Sequence, residues 1–324
     1  WDAISPDLTY ADPDTMGVSG PLTMDTAGAE MYATIFSFMA SAHRPGVLMA
    51  GSDDGLVHVS INEGGDWQNV TPPDLPKFSQ VTMLAESPHN DGTVYMTVAR
   101  HKMGDYAPYV YKTTDLGQNW TRISDGLPES DFCRVIREDP TREGLLYVGT
   151  ELGLFVSFDD GAHWQSLQAN LPVCPVYDVV IKDTDLVVAT HGRSFWILDD
   201  LTQLHQMQDD LAAANAHLFA PRDAVRTPPD LFADFWGAKG GKNYHVSIGQ
   251  NATFYLEEKK TGHLVKNVLD AGTDLERGVR ITWWFKDAPD EEATLVILDS
   301  DGNEVDSFSS VIPEDEKDRE GLYI

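Results

Sequence analysis

Polar residues able to hold or transform a ligand gather at a few points of this sequence. Asp53-Asp54 and Glu151 are carboxylates with a glycine close behind, and Arg100-His101 and His191-Gly192-Arg193 are basic pairs, the first followed by Asp105. Two carboxylates suit glycoside hydrolysis, at separations of about 5–5.5 Å for retention or about 6.5–9.5 Å for inversion. Asp54 and Glu151 are candidates, but no spacing in the sequence sets the distance between them. A sialidase would instead use arginines and a phenol, here Arg100, Arg134 and Arg193 with Tyr106 or Tyr109, and again no spacing selects them. Gly192 between His191 and Arg193 aims both side chains at a ligand, or at neighbouring structural units that they would lock together. His101 stands without a close His or Cys partner, so no metal site is expected and no cofactor is implied. Arg134, Arg137 and Glu138 fall on one short apolar run, where a mutual ion pair is the expectation. These residues indicate a ligand surface more clearly than a reaction. Whether the protein is an enzyme stays open; a glycosidase is the activity they would fit.

Composition narrows the partners. With 52 acidic residues against 23 Lys and Arg, the formal net charge is -29, so nucleic acid is excluded for want of clustered cations. The acidic surplus reads as a well-solvated surface or as attraction for a cationic partner. No run approaches the roughly 18 apolar residues needed to span a bilayer. Cys133 and Cys174 are the two cysteines, expected as buried free thiols rather than a bridge.

The elements that position the polar residues repeat. Trp1-Asp-Ala-Ile-Ser-Pro-Asp-Leu8 aligns with the segments opened by Trp67, Trp120 and Trp164. Upstream of the last three stand Ser60-Ile-Asn62-Glu-Gly64, Thr113-Thr-Asp115-Leu-Gly117 and Ser157-Phe-Asp159-Asp-Gly161. The shared template is [S/T]-x-[D/N]-x-G-x-x-W. An Asp or Asn side chain accepts backbone N–H groups two residues on, Gly supplies positive φ, and Trp covers the hairpin it closes.

Each repeat reads as four short strands, predicted at 32–38, 47–51, 56–60 and 67–70, then 80–85, 94–98, 109–113 and 120–123, then 133–137, 146–150, 154–157 and 164–167. A fourth unit has strands at 176–182, 186–190 and 194–198 and lacks the template. Four-stranded units at this period are propeller blades. The fold class is therefore all-β: a partial β-propeller over 1–200, with three complete blades and parts of two, beginning mid-blade. Turns after each second strand and crossovers between units then share one face, opposite the template turns. That face collects Asp53, Asp54, Arg100, His101, Asp105, Glu151, His191 and Arg193, bordered by the long connection 8–30.

Leu201, Leu204, Met207 and Leu211 predict one short helix to about residue 214, followed by a linker over 221–229, so that 201–226 forms a helix and linker. Strands predicted at 246–248, 252–256, 279–285, 294–298 and 305–308, with a turn at Asp301-Gly302-Asn303, make 227–324 a smaller sandwich. Its acidic run 314–320 reads as a loop into a strand beyond the sequence. Trp283-Trp284 invites sugar stacking, but neighbours on a strand face opposite sides. The sequons at Asn69, Asn119 and Asn251 read as incidental.

The template turns, with Val188-Ala-Thr-His191-Gly-Arg193-Ser-Phe-Trp-Ile-Leu-Asp-Asp200, resemble the large bacterial Asp-box (BNR) repeat proteins of the sortilin-like or "glycosyl hydrolase" type, over residues 1–226. The resemblance implies Asp-box hairpins, an immunoglobulin-like sandwich after the propeller, and export to an extracellular or periplasmic location. It implies a glycan or peptide as ligand, and a ring completed by the remainder of the same protein or by another chain. Asp-box propellers also serve sialidases, xyloglucanases and sortilin receptors, so fold transfers and activity does not.

Overall fold

A computed structural model describes residues 2–15, 32–207, 211–224, 242–247, 250–258, 264–268 and 278–311. Trp1, most of the connection 8–30, the later part of the 221–229 linker and the acidic run 314–320 lie outside the described residues. The chain forms two compact units, Trp1–Ala213 and Ala214–Ile324.

The first unit holds three four-stranded antiparallel sheets and one three-stranded sheet, each ordered as the chain runs. They comprise β1 (Ile35–Ala40), β2 (Leu48–Ser52), β3 (Val57–Ser60) and β4 (Gln68–Asn69); β5 (Gln80–Glu86), β6 (Val94–Arg100), β7 (Asp105–Thr113) and β8 (Thr121–Arg122); β9 (Cys133–Glu138), β10 (Leu146–Thr150), β11 (Leu154–Ser157) and β12 (Gln165–Ser166); then β13 (Val176–Lys182), β14 (Asp185–Thr190) and β15 (Phe195–Leu198). First strands neighbour first strands: β1 packs beside β5, β5 beside β9 and β9 beside β13. That succession is the radial arrangement of propeller blades.

The core lies between successive sheets. Met49, Val57 and Val59 of the first meet Val81, Val94 and Met96 of the second. Tyr95 and Val110 meet Ile136 and Val148, and Val135, Tyr147 and Val156 meet Val176, Val179 and Leu186. Inner strands are covered on both faces, which is why β10 reads as a continuous buried run rather than an alternating one. Gly51 and Gly149 let the next sheet approach: an added Cβ would stand 2.4 Å from Val81 Cγ1 and 2.5 Å from Val176 Cγ1, respectively.

The three template turns share one hydrogen-bond pattern. The hydroxyls of Ser60, Thr113 and Ser157 each accept the glycine N–H four residues on at 2.9 Å. Asn62, Asp115 and Asp159 accept the N–H of residues 66, 119 and 163 at 2.8–2.9 Å. The acceptor thus reaches four residues on, not the expected two, because the residue before each glycine also turns left-handed, as with Leu116 at φ 56°. The tryptophans correct the expectation further. Trp67, Trp120 and Trp164 donate Nε1–H to the carbonyls of Ile4, Val70 and Ile123 at 2.7–2.8 Å, so each ties its sheet to the preceding segment instead of closing its own hairpin. The template glycines face the same residues, and a Cβ on Gly64, Gly117 or Gly161 would fall 2.5–2.8 Å from Ile4, Val70 or Ile123. Glycine and tryptophan together grip the residue three places beyond the previous template tryptophan.

The fourth sheet ends differently. Helix α1 (Thr202–Gln206) is shorter than expected, with a separate 3-10 turn at Leu211–Ala213. It is fastened to the third sheet by Arg142 Nη1 donating to the Leu204 carbonyl and by His205 Nε2 at 2.9 Å from Asp139 Oδ2. Cys133 and Cys174 are buried and unbridged.

In the second unit, β16 (Ala216–Leu218) pairs with β20 (Trp283–Phe285), β17 (Lys242–Ser247) with β18 (Gln250–Glu258) and β19 (Leu264–Val268), and β21 (Thr294–Leu298) with β22 (Glu304–Ser309), all antiparallel. β16 and β19 were not expected: one is three residues and the other carries Lys266-Asn267, so neither shows a clear two-residue period. Asp299 accepts the Asp301 and Asn303 N–H groups, closing the turn expected there. Trp283 is more exposed than Trp284, as strand alternation requires.

Candidate functional site

The turns β2–β3, β6–β7, β10–β11 and β14–β15 and the crossovers into β5, β9 and β13 occupy the ends of the sheets away from the template turns. The inner strands are irregular there. In each of the four sheets one residue of the first strand is passed over in the pairing with the second: Phe36, Thr82, Arg134 and Tyr177. A bulge breaks strict alternation and re-aims the side chain that it carries.

Two of these residues build the site. Arg134 lies between two rings, its guanidinium carbon 4.1 Å from the Tyr177 centroid and 4.9 Å from that of Phe132. Glu151 Oε2 accepts Arg134 Nε at 2.7 Å and pairs with Nη2 at 2.5 Å, fixing the fork in plane. On one side Phe132 stacks on His101, with centroids 4.5 Å apart and planes 14° apart, and Tyr106 tilts against it. On the other, Tyr177 meets the His191 ring at 5.1 Å. The sequence His101, Phe132, Arg134, Tyr177, His191 is thus a continuous ladder of rings and one guanidinium across the second, third and fourth sheets. Tyr106 and Tyr177 are 52% and 46% exposed, so the ladder presents aromatic surface to solvent.

The structure therefore brings together His101, Glu151 and His191 and separates them from the other candidates. Arg100 turns to Asp105 at 2.6 Å and to the Lys77 carbonyl. Arg193 is exposed, and its carbonyl accepts Trp196 Nε1 within its own turn. Asp54 is buried, its oxygens taken by Ser52 Oγ at 2.5 Å and the Tyr10 N–H at 2.8 Å, so it staples the turn instead of facing a ligand. Arg134, Arg137 and Glu138 do not pair with one another: Arg137 reaches Asp178 on the next sheet, and the bulge swings Arg134 to Glu151. Phe132 and Tyr177 are the residues that sequence reasoning passed over. Both sit at the entry to a first strand, two places before Arg134 and one place after Val176, and only the bulges give that placement a meaning.

Burial competes with hydrogen bonding for the carboxylates at this end. It raises Asp53 above the usual carboxylate range, with the Asp54 charge adding to it and the Thr34 N–H opposing. Burial likewise raises Asp131, against hydrogen bonds from Thr150 and the Leu152 N–H. Burial pushes Asp105 up too, but bonds from the Ala107 N–H, Tyr109 and Arg100 outweigh it and hold Asp105 low. Among the described residues no group of three or more His, Cys, Asp or Glu is arranged to hold a metal ion.

No family model matches this chain, and no curated protein sequence matches it. Among solved structures it is similar to the GH74 xyloglucanase from Xanthomonas campestris, at 16% identity and a TM-score of 0.43 over 55% of this chain and 30% of that one. It is similar to YCF48 from Cyanidioschyzon merolae at 13% identity and a TM-score of 0.38, over 51% and 53% of the two chains. An ancestral GH74 enzyme gives 12% and 0.43, over 86% of this chain and 33% of that one. The chain spans less than two thirds of the length of each. At such identities the assignment of site residues rests on this chain's own geometry.

That geometry suits binding. Along the ladder, Tyr177 and Tyr106 leave ring surface open to solvent, whereas Phe132 is closed between His101 and Arg134 and the Arg134 guanidinium is held by Glu151. Its carboxylates are committed inward: Glu151 to Arg134, Asp105 to Arg100, and Asp54 to its own turn.

Proposed function

We propose that this chain is the ligand-binding part of an exported Asp-box propeller of the sortilin-like type, and that it recognises a glycan or peptide on the face opposite the template turns. The observation that carries the reading is the ladder His101–Phe132–Arg134–Tyr177–His191, which joins turns of three sheets into one strip of rings about the Arg134–Glu151 pair. A shared strip across several blades recognises an extended ligand better than any single turn does. The glycosidase reading would need carboxylates beyond those described on this face. The second unit fits an immunoglobulin-like sandwich, and the ring is completed by further sheets of the same protein or another chain. Phe38 at 55% and Phe195 at 76% exposure, on the outermost-numbered sheets, support that completion.

The test is a glycan array and a peptide library screened with the parent chain, Tyr177→Ala and His191→Ala. Ligands captured by the parent are expected to be lost from both variants while the thermal midpoints stay within a few degrees. Equal capture by parent and variants would overturn the reading, and release of reducing sugar from a captured glycan would replace binding by hydrolysis.

A further inference from the structure

The ring ladder does not stop at His101. That residue opens a 3-10 turn, His101–Met103, whose other two side chains reach Tyr32, just ahead of β1. The Tyr32 hydroxyl lies 3.8 Å from Met103 Sδ, and Lys102 Nζ stands 5.6 Å from the Tyr32 ring centroid. Tyr32 packs on Phe78 at 5.6 Å, and beside Phe78 the Lys77 Nζ stands 4.9 Å from the Tyr10 centroid. Rings and cations therefore run on across the first two sheets. The cations are of two kinds. Arg134 is neutralised by Glu151 and Arg100 by Asp105, whereas Lys77, Lys102 and Arg193 are exposed and, among the described residues, pair with no carboxylate. Asp53, whose charge reaches Lys102, is 5% exposed and accepts the Thr34 N–H at 2.9 Å. With acidic residues outnumbering basic ones by 52 to 23, three unpaired cations at one end of the sheets run against the trend of the whole chain. A lysine laid over a tyrosine gains less than one that meets a carboxylate, so both ammoniums stay open to an anion.

We propose that the ligand surface of the ring ladder extends over this strip and takes an acidic polysaccharide, a claim that rests on the ladder being a ligand surface. Sugar rings lie on the exposed rings of Tyr106 and Tyr177, and carboxylates meet Lys77, Lys102 and Arg193. The strip crosses four sheets stacked about 10 Å apart, so it runs for about 30 Å and suits a chain of sugars rather than a single one. An extended peptide would draw its affinity from pairing along an open strand edge. This end of the sheets carries turns and crossovers instead. The formal charge of -29 does not forbid an anion here. At physiological salt, charges beyond about 8 Å are largely screened, and the cations close at hand decide.

Calorimetric titration of the full chain with oligogalacturonate and with its methyl ester, the same backbone without charge, tests the proposal. Saturable binding of the acid is expected, about tenfold or more tighter than that of the ester. Lys77→Gln and Lys102→Gln are each expected to weaken the acid about fivefold and to leave the ester unchanged. Both side chains are exposed, so the thermal midpoints stay within a few degrees of the parent. Tyr177→Ala is expected to weaken acid and ester alike. Equal affinity for acid and ester, or lysine variants that bind the acid like the parent, would overturn the acidic class, and a loss of both forms in Tyr177→Ala would then leave the ligand surface standing. No binding of the acid by the parent overturns the proposal as well, and the surface falls with it where the glycan array and the peptide library also capture nothing. Lysine-dependent binding of poly-L-glutamate in place of oligogalacturonate would overturn the polysaccharide and make an acidic peptide the ligand.

Discussion

The two ends of the propeller sheets are built by different means. At one end, three turns repeat the same local bonds: hydroxyl to glycine N–H, carboxylate or amide to the N–H four residues on, and indole to the preceding carbonyl. At the other, the backbone also repeats, with the N–H of Asp53, Glu151 and His191 each donating to the carbonyl just before a first strand and one bulge in every first strand, but the side chains differ from turn to turn and stack between sheets. Repeated side-chain bonds mark the end that ties each sheet to the segment before it, and side-chain variety on a repeated backbone marks the end that carries the ring ladder. Particular carboxylates of the two ends ionise differently. Bonds from Asn119 hold the Asp115 carboxyl low; for Asp159, burial raises it but the bonds from His163 and Ser157 prevail. Asp53 and Asp131, at the other end, are raised by burial, while Asp105 there is held low by its bonds.

The contrast can be broken by experiment. Trp164→Ala removes a buried indole and its bond to Ile123, and the unfolding free energy is expected to fall by about 3–5 kcal/mol in urea denaturation. A loss below 1 kcal/mol would remove the template end from its structural role. Gly161→Ala follows at about 2 kcal/mol, since φ is 85° and the new Cβ would meet Ile123 Cδ1 at 2.5 Å.

Acid titration sharpens the comparison. Asp115 and Asp159 are lowered on folding, so the stability they contribute is present above the unfolded value of about 3.9 and is lost as pH falls through their folded values. Asp131 is raised, so its contribution is full below about 3.9 and is lost as pH rises through its folded value. Relative to the parent, Asp131→Asn should therefore gain stability from pH 4 to 7, while the deficit of Asp115→Asn should shrink below pH 4. Parallel profiles in denaturation at stepped pH would refute the contrast between Asp115 and Asp131. The smallest effect is expected for Tyr177→Ala, about 1 kcal/mol or less for an exposed ring on a guanidinium; a larger loss would make the ladder a structural element.

Legibility in the sequence divides along the same line. The template turns were readable because local bonds demand fixed residue types at fixed spacing, so Ser60, Asn62, Gly64 and Trp67 recur as Thr113, Asp115, Gly117 and Trp120. The inner strands were readable from their apolar runs. The bulges were not, because passing over Arg134 or Tyr177 depends on register with a second strand and on the neighbouring sheet. Candidates chosen by their place in a turn therefore mixed exposed groups such as His191 with the inward staple Asp54. The backward reach of each tryptophan was equally hidden, since a hydrogen bond to residue 70 or 123 leaves no mark near residue 120 or 164.

That backward reach bears on how the protein is made. The carbonyls of Val70 and Ile123 lie ahead of Trp120 and Trp164 in the order of synthesis, so the anchorage for each outer hairpin exists before that hairpin leaves the ribosome. Each of the three sheets with a template turn can be fastened as it emerges, like a course of tiles laid over the one before. A break in that series would leave the next template hairpin without its indole anchorage.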